Sequence, residues 1–280
     1  MGALLALASA VLYGVVDFTG GLLSRRAHFA AVTFLGQLGG LVLACGAALL
    51  VPAGAVPAGD LLWGALSGLG SATAMHFLNR GLSRGAMSVV VPVSAVTGVA
   101  LSVVCGVLVL GDRPGVVAWA GIAVTVPSLW LVSGGRTGSG PGPGPPTAVA
   151  DGLLASAGVA VQYLALAQAG SGSGLWPVAA GRAAAVLLLL PGAARRPRRL
   201  RLPPPRCTGA LLVGAGAALG LILYLLAVRL QMLAVAVVLA SLYPALPVLL
   251  GILVLRERIG RRQAVGLTGA AVATVLLSLG

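Results

Sequence analysis

Residues 95–121 read AVTGVALSVVCGVLVLGDRPGVVAWAG, and residues 240–266 read ASLYPALPVLLGILVLRERIGRRQAVG. The two stretches align without a gap at an offset of 145 residues, and the same offset continues upstream. The matched residues are Gly64-Ala65-Leu66 with Gly209-Ala210-Leu211, Arg84 with Arg229, Ala95 with Ala240, Ala100-Leu101 with Ala245-Leu246, Gly106 with Gly251, Val109-Leu110 with Val254-Leu255, Asp112-Arg113 with Glu257-Arg258, and Gly121 with Gly266. Because both halves of the chain are almost wholly apolar, this repeat indicates a membrane protein built from two similar halves.

The composition excludes an ordinary soluble domain. The 280 residues are 59% hydrophobic and only 8% charged, and the mean hydropathy is +1.06. Soluble chains carry about 25% charged residues. A bilayer core about 30 Å thick needs about 20 apolar residues per helix, and backbone polar groups in lipid must be satisfied internally. We therefore expect transmembrane helices throughout.

Ten apolar runs, separated by Gly, Pro and Arg, predict ten membrane spans. They cover residues 3–23, 29–51, 60–79, 86–110, 115–133, 148–168, 174–191, 208–228, 232–255 and 262–279. Residues 134–147 are rich in Gly, Pro and Ser and predict a flexible linker between a first repeat (1–133) and a second repeat (148–280). Because each half has an odd number of spans, the second half starts on the opposite side of the membrane from the first. The expected fold is thus an all-α membrane protein with ten transmembrane helices arranged as two inverted five-helix repeats.

The positive charge predicts an orientation rather than nucleic-acid binding. All 18 basic residues are arginines, which give a net charge of +13. If the spans alternate, loops on one side hold 15 arginines and loops on the other hold only Arg113 and Arg229. The positive-inside rule then places both termini outside the cytoplasm. The Arg-, Gly- and Ala-rich composition is typical of a GC-rich bacterial genome, so we expect a multi-pass protein of the inner (plasma) membrane.

Two spans carry a charge near the membrane centre, where charges are costly and need a reason. They are Asp17 in the first span and Arg182 in the seventh, which the repeat offset matches with Gln162 and Gln37. One interpretation is that Asp17 and Arg182 pair and lock the halves together. The other is that both line a cavity, in which Asp17 binds a proton or a cation and Arg182 faces an anionic group. We expect the cavity.

Other polar residues are candidates for the same substrate cavity. Besides Asp17, Gln37, Gln162 and Arg182, they are Tyr13, His76, Asn79, Tyr163, Ser241 and Tyr243. His76 and Asn79 share one helix face because they are three residues apart, although solvation at the Arg-rich interface explains them equally well. The residues of spans six and nine also fit ordinary contacts between packed helices.

Prolines predict gating kinks in two spans that the repeat makes equivalent. Pro92 interrupts span four, and Pro244 and Pro247 interrupt span nine. A proline inside a helix removes one backbone hydrogen bond, and broken helices at corresponding positions of two halves are typical of transporter sites. The acid–arginine pairs that follow these spans, Asp112-Arg113 and Glu257-Arg258, lie in tight turns. Local capping and pairing is their expected role.

No pattern predicts catalysis, a cofactor or a metal site. The three cysteines are scattered singly, the five acids and two histidines are dispersed, and no GxxxxGK[ST] nucleotide-binding motif occurs. The expected partners are a small-molecule solute and membrane lipids, with no nucleic acid. Gly266 and Ala270 form a small-xxx-small spacing that permits close helix contact, which leaves open a homodimer through spans five and ten.

The chain resembles the EamA-type branch of the drug/metabolite transporter superfamily. The resemblance is carried by the two sets of five spans, Leu12-Tyr13-Gly14 in span one, both acid–arginine pairs, and the glycine-containing spans that follow them. It implies an inverted-repeat fold whose central cavity is lined by spans one, three, four, six, eight and nine. It also implies carriage of small organic solutes such as metabolites, amino acids or drugs, often outward. Tyr13 stands where the family usually has Trp.

The expected function is therefore a secondary transporter that works by alternating access. Two alternatives come from other classes: a non-transporting membrane scaffold or subunit, and a membrane-embedded enzyme that modifies lipid. The enzyme is the weaker of the two, since its chemistry needs clustered acids, histidines or a nucleophile.

Overall fold

The computed structural model describes residues 2–105, 115–133, 146–230, 243–257 and 259–279, and over these residues it contains helices and no strand. We number the helices of ten residues or more in chain order. They are α1 (Gly2–Arg26), α2 (Phe29–Leu50), α3 (Ala58–Arg84), α4 (Met87–Cys105), α5 (Val116–Ser133), α6 (Pro146–Ala167), α7 (Trp176–Arg195), α8 (Pro204–Leu230), α9 (Ala245–Val254) and α10 (Arg261–Leu279). A 3-10 turn (Ser171–Ser173) precedes α7, and a single helical turn (Pro197–Leu200) follows it.

Several of these helices have the length and hydropathy needed to cross a bilayer. Within the described residues, five segments meet both criteria, namely Leu4–Arg26, Phe29–Leu50, Thr147–Ala167, Trp176–Arg195 and Pro204–Ala227. Shorter apolar helical stretches occur at Met87–Gly98, Trp119–Ser128 and Ala245–Val254. Large apolar side chains such as Val42, Trp130 and Leu187 are exposed on the outer surface. Such a surface suits lipid rather than water, so the chain is a multi-pass membrane protein.

The helix boundaries depart from the predicted spans by a few residues. Helix α6 begins at Pro146, so the last two residues of the predicted linker are helical. Proline is favourable at the first helical position because its missing N–H has no partner there anyway. The remainder of the linker, Asp112-Arg113 and Arg258 lie outside the described residues.

The core is formed mainly by contacts between the two halves. Helix α3 packs against α6 and α7, and α8 packs against α1 and α2. The repeat offset relates α1 to α6, α2 to α7 and α3 to α8, so each of these contacts has a counterpart when the halves are exchanged. Helix α4 packs on α6, and α9 packs on α1, which is a further related pair of contacts. Helices α5 and α10 pack against one another.

Glycines allow the closest of these approaches. On α2, a Cβ added to Gly39 would overlap the carbonyl oxygen of Leu211 on α8. On α3, a Cβ added to Gly68 would overlap the carbonyl oxygen of Gly181 on α7. Membrane helices gain little from the hydrophobic effect between one another, so backbone approach through small residues is a principal source of their association.

Contacts at the helix ends fix the directions in which the helices run. Arg206 at the start of α8 donates a hydrogen bond to the carbonyl of Arg26 at the end of α1, at 2.9 Å. Asp151 near the start of α6 pairs with Arg80 near the end of α3. At the opposite end of α3, Ser173 in the turn after α6 donates to the Asp60 carboxylate. Helix α3 is therefore antiparallel to α6, and α1 is antiparallel to α8.

The small-residue face of α10 is used inside the chain. Gly266 is buried, and Ala270 packs with Val96 of α4 and Val124 of α5. The spacing that left a homodimer open is thus occupied by intramolecular contacts.

Candidate functional site: a polar cavity between the two halves

A narrow cavity of about 80 Å³ lies between the halves. Its walls come from α1, α3, α4, α6, α7 and α8, together with Tyr243, which lies shortly before α9. The polar side chains that line it are Tyr13, Asp17, Ser71, Ser94, Gln162, Tyr163, Arg182 and Tyr243. Six of these eight residues are among those that the sequence analysis named for the substrate cavity.

Arg182 enters from α7 and is only 4% exposed. Its Nη1 donates to Gln37 Oε1 at 2.9 Å and to Ser71 Oγ at 3.4 Å. Gln37 is itself fully buried, and it is the residue that the repeat offset matches with Arg182. Gly40 provides room for this contact, because the Arg182 side chain passes its Cα closely.

Asp17 borders the same cavity from α1, at a half-buried position. Among the described residues, its carboxylate makes no hydrogen bond and no ion pair; the ion pairs present there are Arg25–Glu257, Arg80–Asp151 and Arg84–Asp151. The interpretation in which Asp17 and Arg182 lock the halves as a salt bridge is therefore wrong for this conformation. Two opposite charges face one cavity without neutralising one another directly.

Tyrosine rings form much of the remaining wall. The ring centroids of Tyr13 and Tyr243 lie 6.0 Å apart with their planes tilted at 56°. Tyr163 meets Tyr224 edge to face at 6.3 Å. The faces of such rings attract cations, while their hydroxyl groups donate or accept hydrogen bonds. The wall beside Asp17 therefore combines aromatic surface with polar groups.

Two residues expected at the cavity lie on another face of α3. Asn79 is buried and donates to Thr33 Oγ1 of α2 at 3.0 Å. His76 contacts the ring of Phe29 edge to face at 5.2 Å. Both side chains face the start of α2, away from the central cavity. Ser241 lies outside the described residues.

The prolines border a separate apolar groove of about 500 Å³ between α4, α9 and α10. Pro92 lies inside α4 and Pro244 directly precedes α9, and both line this groove. Pro247 is buried in the first turn of α9, where a missing N–H costs no helical hydrogen bond. Tyr243 and Pro244 form a turn, so the predicted span nine is interrupted at that point.

Three functional candidates escaped the sequence analysis, and the contacts of a fourth residue, Glu257, were not foreseen. Ser71 and Ser94 line the cavity, but isolated serines in apolar helices give no indication of the direction they face. Asp151 is buried, and its Oδ1 accepts from Arg80 Nε at 2.9 Å; its place in span six was the available signal. Glu257 accepts hydrogen bonds from the backbone N–H groups of Met87 and Ser88, both at 3.0 Å, and its expected local partner Arg258 lies outside the described residues.

Polar contacts join the helices at both ends of the molecule. At the Arg-rich end, Glu257 caps the start of α4 and pairs with Arg25 of α1 at 3.2 Å. Nearby, Asp151 joins α6 to Arg80 and Arg84 of α3. At the other end, the Gly54 N–H donates to the carbonyl of Gly172 at 3.1 Å, beside the Ser173–Asp60 contact.

Helices that cross a membrane and surround a charged cavity between two similar halves define a membrane transporter as the class of protein. The sequence model of the EamA-like transporter family matches residues 1–134 and again residues 148–279. The chain therefore belongs to the EamA-like transporter family, within the drug/metabolite transporter superfamily, and this is a family of transporters rather than of enzymes.

Comparison with solved structures supports the same fold. A crystal structure with a TM-score of 0.60 aligns over 98% of this chain and 96% of its own chain, at 17% sequence identity. That level of identity shows a shared fold alone. No curated protein matches the chain by sequence.

Proposed function

We propose that the chain is a secondary transporter that carries a small organic solute through the cavity between its halves by alternating access. The observation that carries this proposal is the pair of unlike charges, Asp17 from one half and Arg182 from the other, at one cavity. Charges within membrane helices are costly and typically mark substrate or ion pathways. Asp17 is available to a cationic group or a proton, and Arg182 to an anionic group.

Ten spans in two inverted repeats are the architecture that we propose for this function. Residues 1–133 form the first repeat, 134–147 connect the repeats, and 148–280 form the second. The support is geometric: α1 ends at the Arg-rich end of the molecule, whereas its equivalent α6 begins there. The contact of Gln37 with its repeat equivalent Arg182 fits an axis through the seam.

The cavity volume supports a cycle in which the solute site opens and closes. Pockets that bind small molecules usually measure about 300–1,000 Å³, whereas this cavity measures about 80 Å³. We propose that this narrow conformation represents an occluded state, in which the polar contacts at both ends hold the helices together. For the solute to enter the cavity, the contacts at one end must separate while those at the other end remain. We expect α4 and α9 to bend at their prolines during this movement.

The arginine distribution supports the orientation. We place the Arg-rich end, with Arg25, Arg80, Arg84 and the arginines that follow α7, in the cytoplasm of a bacterial cell, because basic loops are retained there. Export is the direction we propose, and its support is the resemblance to the wider family.

Transport by proteoliposomes tests the proposal. The purified chain is reconstituted, given a panel of amino acids, amines and organic acids, and assayed by mass spectrometry of the vesicle contents. We expect at least one solute to move, and Asp17→Asn to reduce its movement at least about tenfold, which corresponds to about 1.4 kcal/mol. Gln168→Ala is the control, since Gln168 is exposed and does not line the cavity.

Two results would contradict the proposal. If no solute of the panel moves, while the chain assembles with a partner membrane protein, the scaffold alternative is favoured. If Asp17→Asn transports as well as the unaltered chain, the central carboxylate has no role in the solute pathway.

A further inference from the structure

A second polar cavity, of about 390 Å³, lies at the Arg-rich end between the start of α2 and the end of α7. Its rim carries His28, Arg195 and Arg196, and its deeper part is formed by apolar residues that include Phe34 and Leu189. We propose that this cavity is a binding site for one anionic phospholipid. In this site the phosphate contacts Arg195 and Arg196, and an acyl chain lies over Phe34 and Leu189.

Within the described residues, the arginine charge of the rim has no acidic partner. Of the five acids, Asp151 pairs with Arg80 and Arg84, and Glu257 pairs with Arg25. Asp60 is bound to Ser173 at the other end, Asp17 lines the central cavity, and Asp112 lies outside the described residues. Among the described residues, no carboxylate pairs with Arg195 or Arg196. The phosphate of a lipid supplies the missing negative charge.

The apolar depth of the cavity favours a lipid over free phosphate. Leu189 precedes Arg195 by six residues and Phe34 follows His28 by six, which places the apolar part about 9 Å below the charged rim. An inorganic anion would leave this part unfilled, whereas an acyl chain covers it. The ring of Phe29 adds to the wall, because it stacks on His28 at 4.8 Å and meets His76 edge to face at 5.2 Å.

Lipid binding by the full-length purified chain tests the inference. The chain in detergent is titrated with dimyristoyl phosphatidylglycerol or phosphatidylcholine, and bound lipid is counted by native mass spectrometry. We expect one phosphatidylglycerol to bind preferentially per chain. The double substitution Arg195→Gln with Arg196→Gln should weaken phosphatidylglycerol binding about 30-fold, because each arginine near an anionic lipid contributes about 1 kcal/mol.

The matched control is Arg198→Gln with Arg201→Gln, which removes the same charge from exposed positions that do not line the cavity. This control should keep the preference for phosphatidylglycerol. If both double variants lose phosphatidylglycerol binding equally, the inference is overturned. The total charge of the segment, rather than this cavity, would then determine lipid binding. Two other results would also overturn it. One is equal binding of the two lipids, and the other is complete displacement of phosphatidylglycerol by inorganic phosphate at an equal concentration.

Discussion

At the scale of single residues, the central contact of the molecule joins two residues that the sequence repeat makes equivalent. Arg182 donates to Gln37 at 2.9 Å, and the guanidinium is nearly inaccessible to solvent. A buried cation needs hydrogen-bond acceptors to offset its lost hydration. Gln37 and Ser71 supply them and leave the other side of Arg182 to the cavity.

Replacing Gln37 tests the importance of this contact for stability. Gln37→Ala removes the nearer acceptor, so we expect the free energy of unfolding to fall by about 1–3 kcal/mol. Unfolding in detergent micelles, followed by circular dichroism, measures the change. Gln168→Ala is the control: it makes the same chemical change at an exposed position, where we expect an effect within about 0.5 kcal/mol. Equal stability of the two variants would show that the buried Arg182 does not need Gln37 as a hydrogen-bond acceptor.

The charged residues and most of the neutral polar residues of the cavity could be recognised from the sequence, but its serines could not. Asp17 and Arg182 are conspicuous because a charge in an apolar span is rare, and the repeat added Gln162 and Gln37. Serine has no such cost in a helix, since its hydroxyl can bond to the backbone of its own helix. Ser71 and Ser94 were missed for this reason. His76 and Asn79 were grouped correctly on one face, but which neighbour that face meets depends on the packing of α2.

At the scale of helices, glycine contacts determine how closely the two halves approach. Gly39 of α2 lies against the backbone of Leu211 on α8, and Gly68 of α3 lies against Gly181 on α7. The spacing of glycines in so glycine-rich a chain did not single out these positions. Only the paired helices show which glycines face a neighbour and which face lipid.

Two glycines of α2 give a matched test of this contact. Gly39→Ala would force its Cβ into the Leu211 carbonyl, so α2 and α8 must separate, at a cost of about 1–3 kcal/mol. Gly46→Ala has no neighbour within 4 Å, and we expect it to be neutral or to stabilise the helix by up to about 1 kcal/mol. Thermal unfolding of both variants in the same detergent provides the measurement. Similar midpoints for the two would contradict the close packing of α2 on α8.

Helix-end chemistry was the least predictable feature at this scale. The sequence placed Glu257 in a tight turn with Arg258, where a local pair was expected. Glu257 bonds to the first backbone N–H groups of α4 in the other half and to Arg25 of α1, which the sequence did not indicate. Carboxylates favour helix N-termini because unsatisfied N–H groups and the helix dipole attract them. Such a contact cannot be found from the sequence until the two halves are placed together.

At the scale of the whole molecule, the two halves interlock, and each contributes a charge to the cavity between them. The repeat and the apolar runs were sufficient to predict helices and two halves. The contacts at the two ends were not predictable, because they join residues that lie far apart in the chain, as Ser173 and Asp60 illustrate. The account requires that the cavity opens alternately to the two sides of the membrane.

A single cysteine in the cavity tests that requirement without knowledge of the solute. Ser94 is 4% exposed and lines the cavity, so Ser94→Cys in a chain without its three native cysteines places a thiol there with little change in size. A membrane-impermeant thiol reagent is added to oriented proteoliposomes from one side or the other. Ser9→Cys is the control, since Ser9 is fully buried against the Gly220 carbonyl and lies outside the cavity. The account predicts that the thiol at position 94 reacts from both sides while the thiol at position 9 reacts from neither; reaction at position 94 from one side only, or from neither, would contradict it.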